Sequence, residues 1–287
     1  MTNASSNYDH NRKAGNEGDI FKHVALIAAL DETVAHTEHS PFRYADIFAG
    51  YAMNPLRAGN EWRNGIGVVA GWNLLKDNRH VALWAGWWLD VRGMVGHCYP
   101  GSAWFAREVC AQQKVDVEMS LWDVVPAPLA DLKGHFAAPH HVSERAGTSD
   151  EERIRRADFV FIDPPDKKDW ASIHDVLRYL DYPPKQSVLV WLPICANTTC
   201  SPPEEDAGSA KCRRECLEVG MSATVVRWAK GGRVIGCQLL YRVNPPARQA
   251  VRRAVETLEQ AFRYAKLKSG KKDSSSKLLG VRHFDPV

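Results

Sequence analysis

The sequence predicts an α/β protein built on a doubly wound, mainly parallel sheet with helices on both faces. Three observations carry that expectation. Short apolar runs rich in β-branched and aromatic residues recur along the chain, and stretches with helical spacing separate most of them. A chain of 287 residues, 45% hydrophobic and 25% charged, is long enough to bury a sizeable core. One domain over residues 1–287 with an insertion or appendage is therefore expected, rather than two equal domains.

The elements follow in order. The start, MTNASSNYDHNRK, is polar and lacks the apolar core of a signal peptide. No later run approaches the ~20 apolar residues that cross a bilayer, so a cytosolic protein without a membrane partner is expected. Residues 19–30 (DIFKHVALIAAL) bring Ile20, Val24, Ile27 and Ala28 to one helical face. Residues 42–50 (FRYADIFAG) read as a buried strand entering a tight turn. The tryptophan-rich block 62–95 reads as helical, with Trp84, Trp87 and Trp88 at i, i+3 and i+4, a spacing that suits a packed face. Residues 115–123, 157–165, 187–193, 222–228 and 236–246 read as strands. Only AKGGRVI separates the last two, and its Gly231-Gly232 pair suits a hairpin, hence an antiparallel edge. Three segments are expected to resist ordering: 146–152, 197–209 with Pro202-Pro203, and a flexible Ser/Lys-rich tail over 269–287.

The seven cysteines are odd in number and widely spread, which fits reduced thiols. Cys195, Cys200, Cys212 and Cys216 match no zinc spacing and have no histidine among them, so no metal is expected. A net charge of +3 permits nucleic-acid binding without requiring it.

The stretch Phe159-Val160-Phe161-Ile162-Asp163-Pro164-Pro165-Asp166 carries the chemistry. A hydrophobic strand delivers an acid and two prolines at its carboxyl end, the end at which open α/β sheets bind ligands. The prolines make a rigid turn, and the carboxylate accepts hydrogen bonds. Such a corner suits an amino group that donates its protons while its lone pair faces a methyl donor.

With this motif in place the chain resembles the bacterial large-subunit ribosomal RNA adenine-N6 methyltransferases of the RlmJ type. The resemblance rests on Tyr8-Asp9-His10, Ala14-Gly15-Asn16, Asp19 and Lys22-His23, then Asp46 and Ala49-Gly50, Tyr99-Pro100-Gly101-Ser102, Asp123, Asp163-Pro164-Pro165, Trp191 with Pro193, and Asn244-Pro245-Pro246. It implies a Rossmann-like class I methyltransferase fold with a small helical insertion at about 62–98, S-adenosylmethionine as cofactor, and ribosomal RNA as partner. Carried over, it implies a cofactor site among Lys22, Asp46, Gly50, Ser102, Asp123 and Asp163. Lys22 would face the methionine carboxylate and Asp123 the ribose hydroxyls. Asp163 and Pro164 would hold the target amine, with His10 and Tyr8 near the active site.

The chain departs from the pattern at three places. Asp166 stands where the family has the tyrosine of D-P-P-Y; a stacking ring is worth about 1 to 3 kcal/mol, and Trp170 would replace it only if the loop bends back. Tyr51 and Ala52 replace small residues in the glycine-rich turn, which must then close differently. The acid expected near the cofactor's adenine falls near Gly147, with only Asp150 close by. Three readings stay open: an RNA methyltransferase whose basic surface comes from Arg248, Arg252, Arg253, Arg263, Lys266 and Lys268; a diverged S-adenosylmethionine-using enzyme acting on a small molecule or on the cofactor itself, drawn to Asp163 and Asp166; and a binding protein without catalysis.

Overall fold

The computed structural model describes residues 13–56, 61–63, 65–69, 76–95, 98–165, 170–180, 186–197, 204–229, 234–269 and 277–286. Chain order begins with helix α1 (Glu17–Ala35), β1 (Phe42–Asp46), β2 (Met53–Pro55), α2 (Ile66–Val69), α3 (Arg79–Val95), β3 (Cys98–Pro100), α4 (Ser102–Gln113) and β4 (Val117–Trp122). Then come α5 (Pro126–His135), β5 (His141–Ser143), α6 (Glu151–Arg156), β6 (Phe159–Ile162), α7 (Ala171–Tyr179) and β7 (Ser187–Asn197). The chain closes with β8 (Glu204–Glu205), α8 (Ala207–Glu218), β9 (Ser222–Ala229), β10 (Val234–Arg242), α9 (Pro245–Ser269) and β11 (Lys277–Phe284).

The main sheet runs β11-β9-β10-β7-β6-β1-β4-β5, with β8 paired to β7. β5, β4, β1, β6 and β7 are mutually parallel, and β10 runs antiparallel to both β7 and β9. Within the seven strands from β5 to β9, β10 is thus the one reversed. This is a Rossmann-like, doubly wound sheet.

Alternation along the strands explains why both faces are covered. In β6, Phe159 and Phe161 join the core beneath α1, α3, α4 and α9, while Val160 and Ile162 join the core beneath α6, α7 and α8. All four are fully buried, as a central parallel strand requires. The tryptophan block forms the packed face its spacing suggests: Trp84 and Trp88 stack at 6.3 Å, and Trp87 meets Trp104 edge-on at 6.4 Å.

Several expectations change. The β9–β10 hairpin is antiparallel as expected but lies inside the sheet, because residues 277–284 of the expected flexible tail pair antiparallel with β9 and form the edge. Residues 277–284 (KLLGVRHF) carry apolar Leu278, Leu279, Val281 and Phe284, a short apolar run without clean alternation that the preceding Ser/Lys bias hides. The segment 146–152 holds a 3-10 turn and the start of α6, which Asp150 caps by accepting from the Arg153 N–H. Within 197–209, β8 pairs with the end of β7, and Asp206 caps α8. The chain 236–246 stops being a strand at Arg242, since Pro245 and Pro246 begin α9. Among the described residues no helix is long and apolar enough to cross a membrane.

Candidate functional site

The acids singled out in the sequence end neighbouring parallel strands. Asp46 closes β1, Asp123 follows β4 and Asp163 follows β6. Since β4, β1 and β6 are adjacent and parallel, all three carboxylates reach the same carboxyl edge of the sheet.

α1 delivers the cation to that edge. Its N-cap Asn16 accepts from the Asp19 N–H at 3.0 Å, and Asp19 accepts from the Gly15 N–H at 2.9 Å, so the first turn is closed by its own side chains. One turn on, Lys22 Nζ bonds Asp163 Oδ2 at 2.7 Å and Asp19 Oδ1 at 2.8 Å, and lies 5.4 Å from the centre of the Trp191 ring. Lys22 and Asp163 are 6% and 8% exposed, so this pair is screened little by solvent. Burial works to lower the Lys22 pKa, but the Asp163 and Asp19 carboxylates outweigh it and hold the ammonium form well above its ordinary range. Lys22 is therefore a fixed positive charge already shared between two acids.

Asp46 is fully buried. Its Oδ2 accepts from Ser102 Oγ at 2.7 Å and from the Tyr44 hydroxyl at 3.0 Å, while Oδ1, equally buried, has no hydrogen-bond partner among the described residues. Burial raises its pKa to about 7 against the opposing bonds from Ser102 and Tyr44, and the Asp163 charge adds to the rise. Ser102 is the first residue of α4 and not its cap; Gly101 holds the cap position. A Cβ at Gly101 would sit 2.0 Å from the Tyr51 carbonyl oxygen, so only glycine admits this approach of the loop to α4.

The glycine-rich turn closes through two acids. Gly50, at φ +64°, donates its N–H to Asp123 Oδ2 at 3.0 Å, and Val125 N–H donates to Asp123 Oδ1 at 2.7 Å. Asp131 of α5 accepts from Ala52 N–H at 2.7 Å and from Met53 N–H at 3.1 Å. Ala52 is thereby buried where a glycine was expected, and Asp131 supplies the different closure that Tyr51 and Ala52 demanded. Gly147 packs against Ile47, a Cβ there meeting the Ile47 oxygen at 3.0 Å, and Asp150 is engaged as a helix cap.

The structure thus brings Lys22, Asp46, Gly50, Ser102, Asp123, Asp163 and Pro164 to one edge. Sequence reasoning missed Tyr44, which is legible only as an apolar strand residue, and the parts played by Asp19 and Asp131. Tyr8, His10 and Asp166 lie outside the described residues. Trp170, considered as a substitute stacking ring, is 8% exposed and belongs to the core under α7, so its ring is committed to packing. Of the basic residues on α9, Arg252 and Arg248 pair with Asp285 at 2.6 and 3.6 Å, and Arg263 pairs with Glu259 at 2.6 Å, which removes much of the surplus charge foreseen there.

The donor set fits S-adenosylmethionine. Among the described residues Lys22 is flanked by Asp19 and Asp163 with Asp46 nearby, carboxylates that suit a cationic sulfonium and ammonium, and Asp46 Oδ1, without a hydrogen-bond partner among them, is an acceptor awaiting a donor. A metal fits less well. Asp31, Glu32 and His80 cluster at the far end of α1, beside a cleft of about 400 Å³, but Asp31 already accepts from Arg79, His80 and Gln113. That cleft lies ten residues along α1 from Lys22, about 15 Å away by helical rise, and shares none of the residues of the carboxyl edge.

The chain matches no protein-family model and no curated protein. It is similar to a Legionella pneumophila protein of the DUF519 family model, at 19% identity and TM-score 0.71, over 95% of this chain and 98% of that one. It is also similar to a Listeria monocytogenes protein assigned to the class I S-adenosylmethionine-dependent methyltransferases, at 13% identity and TM-score 0.40, over 83% of this chain and 63% of that one. The first likeness shows the fold; the second is too distant to carry an argument.

Proposed function

We propose that this protein is an S-adenosylmethionine-dependent methyltransferase that methylates an amine nitrogen, following its resemblance the N6 of an adenine in large-subunit ribosomal RNA. The observation that carries this reading is the Lys22–Asp163 pair at the carboxyl end of β6, directly before Pro164-Pro165. Lys22, Asp46, Gly50, Ser102 and Asp123 would hold the cofactor, which supplies an electrophilic methyl group when bound.

The chain's own residues then do the positioning. Asp163, ion-paired with Lys22, accepts an N–H of the acceptor amine, and the Pro164 carbonyl accepts the other. The nitrogen lone pair is left facing out of the plane of those bonds. As the nitrogen gains positive charge, the fixed Asp163 carboxylate stabilises it without reorganising, the kind of contribution worth about 3 kcal/mol in other enzymes. A base that enters this corner must leave its stack, as in other enzymes that act on nucleobases.

The acidic surplus favours a second reading, a small cationic acceptor, because the same carboxylates repel RNA phosphates. Labelled cofactor incubated with ribosomal RNA from a strain lacking this methylation separates the two. Adenine-N6 label that rises in Asp166→Tyr supports the RNA reading. Absence of label in both forms, with cofactor consumed when small amines are added, sinks it in favour of the second.

A further inference from the structure

We infer that Asp46 is held protonated in the free protein and loses its proton to solvent when the cationic cofactor arrives, so that cofactor binding is coupled to release of a proton. The inference rests on reading this edge as a cofactor site and adds to it a chemical step within the chain.

The geometry leaves Asp46 few alternatives. It is fully buried, both hydroxyl donors converge on Oδ2, and Oδ1 has no partner among the described residues. The titratable and charged groups that face it are Tyr44 beside it on β1, Lys22 from α1 and Asp163 beyond β6. Lys22 does little for Asp46, because both of its short contacts go to Asp163 and Asp19. A charged Asp46 would therefore be a second buried carboxylate with one bare oxygen, which costs more than a neutral carboxyl in the same place. Burial accordingly brings its pKa to about 7, within reach of a modest perturbation.

The step balances. S-adenosylmethionine carries a net single positive charge from its sulfonium, ammonium and carboxylate. When that charge enters, the O–H bond of Asp46 breaks and the proton passes to buffer; one cation comes in and one proton goes out. A donor or positive charge beside Oδ1 stabilises the carboxylate and pulls its pKa below 7. Release is therefore about half a proton at pH 7, rises towards one below it and disappears well above it, and affinity falls as pH drops.

Isothermal titration of S-adenosylmethionine into the full chain tests this. At pH 6.5, phosphate and imidazole buffers should give apparent enthalpies that differ by the ionisation heat of about three-quarters of a proton, and affinity should weaken about eightfold from pH 7.5 to 6.0, for a group titrating at about 7. At pH 6.5 the cofactor's own ammonium stays protonated, so it adds nothing to the buffer difference. Asp46→Asn should give equal enthalpies in both buffers and a flat pH profile. Tyr44→Phe, which deletes one donor to Oδ2, should carry the release to higher pH, and it keeps the test open where Asp46→Asn fails to fold. Equal enthalpies for the wild-type protein, or release surviving in a folded Asp46→Asn, would overturn the inference while leaving the cofactor site standing. Absence of binding in any buffer would sink the site reading and the inference with it.

Discussion

Two charged clusters sit at opposite ends of the sheet's logic. At the carboxyl edge of the parallel strands, Lys22, among the described residues, faces Asp19 and Asp163 directly, with Asp46 nearby. In the antiparallel half, one acid, Glu205, is gripped by two cations: Arg213 binds it through both guanidinium nitrogens at 2.7 and 3.0 Å, and Arg227 at 2.6 Å. Gln238, fully buried, ties Arg213 to the Ser209 carbonyl and closes the second cluster. Both clusters are largely buried, so burial of charge alone does not mark a site. The difference is what is left over. Every acceptor of Glu205 meets a guanidinium fork, the arrangement that makes a buried ion pair a structural clamp. Among the described residues the first cluster holds more acid than base and an oxygen with no partner, and it lies where several strands end together. An unbalanced cluster at a strand edge points to a ligand; a balanced one between strands points to the fold.

The largest effect should come from the first cluster and should be on turnover. Asp163→Asn keeps an acceptor oxygen but loses the charge, and methyl transfer should fall by about 100-fold or more. Cofactor affinity should stay within a few-fold, because Asp19 still holds Lys22. Equal loss of both, measured by labelled transfer and by titration, would make Asp163 a cofactor or structural residue and blur the contrast.

Glycines on the two sides offer the next test. A Cβ at Gly101 would lie 2.0 Å from the Tyr51 oxygen, and one at Gly236 would lie 2.3 Å from the Val226 oxygen. Each alanine variant should lose about 3 kcal/mol by denaturant melting, since a backbone oxygen gives way poorly. Gly101→Ala should also weaken cofactor binding through the 50–53 turn, whereas Gly236→Ala should not. A matching loss of affinity in Gly236→Ala would break the distinction between the two halves.

Glu205→Ala strands two arginines and should cost about 2 to 3 kcal/mol of stability, less than a wholly buried pair because Arg227 is 35% exposed. Cofactor affinity should not change. A stable variant with altered affinity would show that the second cluster reaches the site after all.

The smallest effect concerns Asp31, at the far end of α1. Burial pushes its pKa up, but hydrogen bonds from His80 and Gln113 and the Arg79 charge outweigh it and leave the carboxyl below its ordinary 3.8. A depressed folded pKa contributes stability that is present above about 3.8 and lost as pH falls through the folded value. Asp31→Asn should therefore cost about 1 to 2 kcal/mol at pH 7, and the gap to wild type should close in melts below pH 3.8. A gap that persists at low pH would assign the loss to packing.

Much of this was legible in the residues themselves, because local physics writes it there. The period of apolar residues set α1, β1, β6 and the tryptophan helix. An acid ahead of two prolines after the apolar run 159–162 placed Asp163 at the carboxyl end of a strand. What stayed hidden depends on distance along the chain. Asp131 looks like an ordinary helix residue, and only folding sets it against the Ala52 and Met53 amides 79 and 78 residues away. The edge strand β11 lies after a Ser/Lys-rich stretch, and its pairing with β9 is a tertiary event that composition cannot report. Trp170 could be weighed from sequence as a stacking ring, but the core under α7 claims it. Sequence determined which residue types would meet at the carboxyl edge, since strand period and strand ends are local. The tertiary structure alone decided that Lys22 is spent on Asp163 and Asp19 and that Asp46 keeps an oxygen without a partner, because charge balance and desolvation are properties of neighbours that the chain brings together only when it folds.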